Sequence, residues 1–141
     1  MYTSFNESTN KYFQKISINN NKEYFNKIKL EYELHVKNPL IGLFYNLLDT
    51  ILTIDNQMEF KPQRCISTPY TDSRFNKSKP IKEYMYVRFK FNTVRKTDIP
   101  GLFFDASNEN FRYGFKIYNI TTTGMEKVRY CILNNLKSKK I

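Results

Sequence analysis

The sequence predicts an α+β domain, with N-terminal helices packed on an antiparallel sheet (a meander or hairpin) and a C-terminal helix after it. Three observations carry this. Apolar residues recur at helical spacing from Tyr12 to Ile51; strict alternation takes over from Glu83 to Phe91 and returns from Phe111 to Tyr118; helical spacing resumes after Thr122. No internal repeat or linker divides the 141 residues, which suit one domain, 1–141. A content of 40% hydrophobic and 16% aromatic residues is enough to bury a core.

The elements follow in order. Tyr12, Phe13 and Ile16 mark a short first helix over about 7–16. Asn19, Asn20 and Asn21 supply a turn and an N-cap for a second helix from Lys22 to Lys37, whose buried stripe is Phe25, Ile28, Tyr32 and Val36. Asn38 and Pro39 read as the cap and first turn of a third helix, with Leu40, Leu43, Phe44, Leu47, Leu48 and Ile51 on one broad apolar side. Short extended pieces are expected at 58–61 and 64–67, then a loop broken by Pro69, Asp72, Asn76 and Pro80.

In the strand from Glu83 to Phe91, Met85, Val87, Phe89 and Phe91 point one way and Tyr84, Tyr86, Arg88 and Lys90 the other. The segment GLFFDAS, a polar turn at 108–110, and FRYGFKIY read as a hairpin. Thr123 and Glu126 are spaced as a capping box for a last helix that buries Met125, Val128, Ile132 and Leu136 and ends in Lys137, Lys139 and Lys140. The expected single core contains Leu43, Phe44, Leu47, Val87, Phe89, Phe115 and Ile132.

The net charge of +10 is regional: residues 61–96 carry ten bases and two acids, net +8, whereas residues 1–60 carry −1. Such a concentration points to an anionic partner. The N-terminus lacks the apolar stretch of a signal peptide and no run reaches membrane-spanning length, so the expectation is a cytoplasmic protein with no membrane partner. Cys65 and Cys131 show no metal-ligand spacing, and no metal or cofactor site is read from the four glycines or the lone His35. Cys65 has no adjacent base to make it a nucleophile.

Asp72 and Arg74 read either as an acid and an anion clamp or as a structural ion pair in an Asx-turn. Lys77, Lys79 and Lys82 read either as phosphate contacts or as a solvated loop. The sharpest pattern is the outward strand face. There Tyr84, Tyr86, Arg88 and Lys90, with Arg112, Lys116 and Tyr118 on the next strand, interleave rings and positive charge, as a surface that stacks bases and holds phosphates does. The alternative is that Tyr and Lys merely suit a wet strand.

At RCISTPYTDSRFNKSK the chain resembles an uncharacterised bacterial family, a domain of unknown function with the signature R-x-x-R-D-x-R-F-x-x-x-[DN]-K-x-x-Y. NNNKEYFNKIKLEYELHVKNPL and PGLFFDASNENFRYGFKIY with MEKVR are similar to further family segments, so nearly the whole chain is covered, although the family is longer at its C-terminal end. Asp72, Arg74, Phe75 and Lys79 match the signature; Thr68 and Thr71 stand where it has arginines, Ser78 where it has Asp or Asn, and Ile81 near its Tyr. A degenerate copy suits reuse for binding.

The expectation is therefore a non-enzymatic binding or inhibitory protein acting on nucleic acid, RNA included, or on a ribonucleoprotein or other nucleic-acid-processing complex. An anti-CRISPR-type inhibitor from a mobile element is one form of it. The alternative is an enzyme or small-molecule binder with a residual phosphate-recognising pocket at Asp72, Arg74 and Lys79. Docking on an acidic protein surface is a third reading.

Overall fold

The computed structural model describes residues 4–72, 74 and 76–138. Helix α1 (Glu7–Ile18) is capped by Asn6, whose side chain accepts from the backbone N–H of Ser8 at 2.9 Å, and it buries Tyr12, Phe13 and Ile16 as expected. Asn21 caps α2 (Lys22–Lys27) through Tyr24 N–H at 2.8 Å. The expected second helix is broken into pieces: α2, α3 (Lys29–Tyr32) and a π-turn over Glu33–Lys37 that runs without a cap into α4 (Asn38–Ile54). Asn38 is thus no cap. The cause is Pro39, which has no N–H to offer the carbonyl of His35; the buried Thr9 hydroxyl donates to that carbonyl at 2.8 Å instead.

The second correction lies at residues 64–67, where Arg64 and Cys65 belong to a helical turn, α5 (Pro62–Cys65), and only Ile66 and Ser67 run extended beside β1, Ile66 bridging Val87. Glu59 organises it by accepting from the backbone N–H groups of Phe60 and Lys61, both at 3.1 Å, and from Arg64 Nη1 at 3.0 Å.

Strands β1 (Tyr84–Lys90), β2 (Ile99–Ser107) and β3 (Phe111–Tyr118) form an antiparallel sheet in the order β1-β2-β3. The hairpin prediction holds for β2 and β3, but β1 and β3 are not neighbours, since β2 lies between them. The free side of β1 is closed by Glu59 N–H to Lys90 O at 2.8 Å and Ser67 N–H to Tyr86 O at 3.0 Å. The helices cover the inner face of β1, where Met85, Val87 and Phe89 are buried, and the Phe44 and Phe89 rings stack at 5.3 Å.

The core is smaller than expected. Phe44, Val87 and Phe89 lie in it and Leu43 and Leu47 are half-buried against it, but Phe115 is 61% exposed and Ile132 54%. Phe115 is bare because the helical layer stops short of β3. Ile132 is bare because α6 (Thr122–Ser138) leaves the sheet after two turns, with Met125 and Val128 half-buried and 129–135 exposed. Its cap is Thr121, whose hydroxyl accepts from Gly124 N–H at 3.0 Å, rather than Thr123. Phe75, Lys139 and Lys140 lie outside the described residues, as does the side chain of Leu136. Among the described residues no helix is long and apolar enough to cross a membrane.

Candidate anion-binding face of the sheet

The register builds the site. Tyr86 stands opposite Asp105, and Asp105 opposite Arg112; Lys90 stands opposite Gly101, and Gly101 opposite Lys116. With a side-chain period of two, Tyr86, Arg88, Lys90, Asp105, Arg112, Lys116 and Tyr118 all share the face turned away from the helices. Gly101 is required here. A Cβ on it would meet Phe89 O at 2.8 Å and the Tyr118 ring at 3.0 Å, so its absence lets Tyr118 lie across the middle strand.

Two rings are the pedestals on which the cations sit. Arg88 stacks 3.6 Å above Tyr86, with Lys82 at 5.5 Å from the same ring. Lys90 and Lys116 lie 4.2 Å and 5.2 Å from the ring of Tyr118. These are cation–π distances. Among the described residues, five cations (Lys82, Arg88, Lys90, Arg112 and Lys116) share this face with one carboxylate, Asp105, which Arg88 and Arg112 flank while Lys90 and Lys116 stand further along it beside Gly101. Asp105 accepts from Arg112 Nη2 at 3.0 Å and faces Arg88 Nη2 at 3.9 Å.

One carboxylate leaves most of this charge unbalanced. Burial, then Arg88 and Lys116, hold Lys90 below the ordinary lysine range, and burial and Arg88 do the same to Lys82. Burial pushes the Tyr118 hydroxyl up, with Arg88 opposing. Asp105 and Tyr118 are each 8% exposed, and Asp105 Oδ1 and the Tyr118 hydroxyl are buried with no hydrogen-bond partner. An anion resting on Lys90 and Lys116 would relieve the like-charge repulsion between them.

The other predicted residues lie elsewhere or are otherwise engaged. Tyr84 is 45% exposed at the end of the face, its ring 6.3 Å from that of Tyr86. Arg74 closes on Asp72, with Nη2 to Oδ2 at 2.6 Å and its backbone N–H donating to Oδ1 at 3.0 Å, the ion pair and Asx-turn geometry together. Lys79 pairs with Glu83 at 2.8 Å, and Lys77 lies beside Lys22 and Tyr70. The described residues of the loop meet the sheet face at its end, where Lys82 and Tyr84 line a cleft with Asp72 and Lys79.

Asp105 is the residue that sequence reading missed. Its signal was present in GLFFDAS, an acid on the polar phase of an alternating strand, but its partners follow only from the register. Cys65 is buried, donates its thiol to Glu59 O at 3.3 Å, and is pushed up to about 12 by burial and Glu59, which makes it inert.

The architecture is that of a small α+β domain carrying a cationic sheet face opposite its helical layer. A family model matches residues 8–140, and the chain belongs to the conserved hypothetical protein family DUF2461. No curated protein and no solved structure matches the chain.

Proposed function

We propose that the chain is a non-enzymatic binding protein that holds the phosphate backbone of nucleic acid, free or within a nucleic-acid-processing complex, on the outer face of its sheet. The observation that carries this reading is the set of Lys82, Arg88, Lys90, Arg112 and Lys116 along one sheet face with Asp105, four of them seated against the rings of Tyr86 and Tyr118. A soluble, cytoplasmic setting is part of the proposal. The rings bear cations on their faces, so phosphate contact rather than base stacking supplies the affinity, and sequence preference should be weak. The residual-pocket reading has less support, because Asp72 and Arg74 engage each other and Lys79 engages Glu83.

The test is the salt dependence of binding to fluorescent single-stranded RNA and DNA. Log affinity should fall with log salt, and Lys90→Gln with Lys116→Gln should make the slope shallower by about 1.4, at about 0.7 per lost contact. No binding at low salt, or a slope untouched by the double variant, overturns the proposal.

A further inference from the structure

The helical layer stops halfway across the sheet. Val87 and Phe89 are buried beneath it and Leu102 and Phe104 are half-covered, but on the same side of β3 Tyr113 is 83% exposed and Phe115 61%. Between this strip and α4 runs an apolar groove of about 370 Å³, walled by Leu43, Leu47 and Ile51 on one side and Tyr113 on the other. The chain's own α6 does not fill it. From Arg129 to Asn135 every side chain of α6 is exposed, Ile132 and Leu133 among them.

The direction of α6 is fixed at its root. Asp98 accepts from Thr121 N–H at 2.7 Å and from the Thr121 hydroxyl at 3.0 Å, and a Cβ on Gly124 would collide with that carboxylate. Asp98 and Asn119 both hold the left-handed backbone that this exit needs, with φ 55 and 51. One chain thus carries an uncovered apolar strip and an uncovered apolar helix that do not meet.

We infer that two copies of this chain exchange the distal half of α6, each laying Ile132 and Leu133 into the groove of the other. Three observations favour a second copy. The first is area. The chain exposes 10073 Å², whereas a compact monomer of 17.0 kDa exposes about 7,700 Å² by the mass scaling. The excess, about 2,400 Å², is more than the ~800 Å² per partner of a standard interface.

The second is charge. α4 carries Asp49 and no base, with Asp55 just beyond it, while the first turns of α6 carry Lys127 and Arg129 against Glu126. The third is closure: a helix and a groove on the same chain, exchanged reciprocally, satisfy each other around a two-fold axis and leave no open end. Arg112 and Lys116 on the opposite face of β3 discourage strand-to-strand pairing at that edge, which leaves a helix as the occupant.

The test is solution mass by light scattering coupled to size exclusion, over a concentration series. Wild type should reach twice the 17.0 kDa chain mass. Ile132→Glu on the helix and Tyr113→Lys on the strip both change exposed positions, so circular dichroism should show both folded, and each should run at half the wild-type mass. Mixing the two variants should restore a dimer, because the pair holds one wild-type contact and one Glu–Lys contact. Leu133→Glu serves in place of Ile132→Glu should the latter misfold. A monomeric wild type, a dimer that survives both variants, or a mixture that stays monomeric overturns the inference. None of these outcomes bears on nucleic-acid binding, which uses the other face.

Discussion

The guanidinium of Arg88 stacks 3.6 Å above the ring of Tyr86, two residues back on the same face of β1. The ring is therefore a seat for a cation. Tyr86→Phe keeps the seat and should leave oligonucleotide affinity and its salt slope unchanged. Tyr86→Ala should weaken binding by about 0.5–2 kcal/mol through the misplaced Arg88. The loss should be equal for an oligonucleotide and for inorganic polyphosphate, which has no bases, in competition anisotropy. A loss confined to the oligonucleotide would mean that the ring stacks on bases.

Lys90 titrates below the ordinary lysine value because burial, Arg88 and Lys116 all disfavour its charged form. A phosphate between Lys90 and Lys116 favours that form and raises the value again. Binding in the alkaline range just below the ordinary lysine value of about 10.5 should thus take up protons. Calorimetry in buffers of different ionisation enthalpy measures this uptake, and Lys90→Gln should reduce it.

The backbone N–H of Thr121 holds the Asp98 carboxyl below its usual range, with its hydroxyl adding to the effect and burial opposing it. A depressed carboxylate contributes stability that is present above the unfolded-state value, near about 3.9, and is lost as pH falls through the folded value. Asp98→Asn should therefore lower Tm at neutral pH. Its melting curve should converge on the wild-type curve in acid, as followed by circular dichroism. A constant gap at all pH values would assign the effect to packing instead.

Phe44 and Phe89 are both buried and stack with their planes 9° apart. Phe89→Ala should cost about 3–5 kcal/mol in urea unfolding, while Leu30→Ala, at a position 67% exposed, should stay within about 0.5 kcal/mol. Equal effects would place the core elsewhere.

Burial pushes the Cys65 thiol up to about 12, and Cys131 is exposed on α6. Alkylation of the native protein followed by mass spectrometry should modify Cys131 alone. Cys65 should react only after denaturation.

The α+β class and the register-independent features were legible because period 3.6 and period 2 are written into hydropathy. The stripe Phe25, Ile28, Tyr32 and Val36 is buried as its spacing predicts, and so are Met85, Val87 and Phe89. The break at the π-turn was less legible. It needs Thr9 to reach the carbonyl that Pro39 cannot serve, a contact across 26 residues. The same holds for the Asp98 clamp on α6, which spans 23 residues.

By itself the sequence determined which residues are apolar in phase, which face of β1 is basic and aromatic, and that the positive charge concentrates in residues 61–96. Only the tertiary structure decided that β2 brings Asp105 between Arg88 and Arg112, that Tyr86 and Tyr118 seat cations, and that Phe115 and Ile132 stay in solvent. Periodicity says that a side chain has an apolar side to hide but not whether any element arrives to cover it. That depends on where the helical layer ends and on the direction in which Asp98 and Thr121 send the last helix.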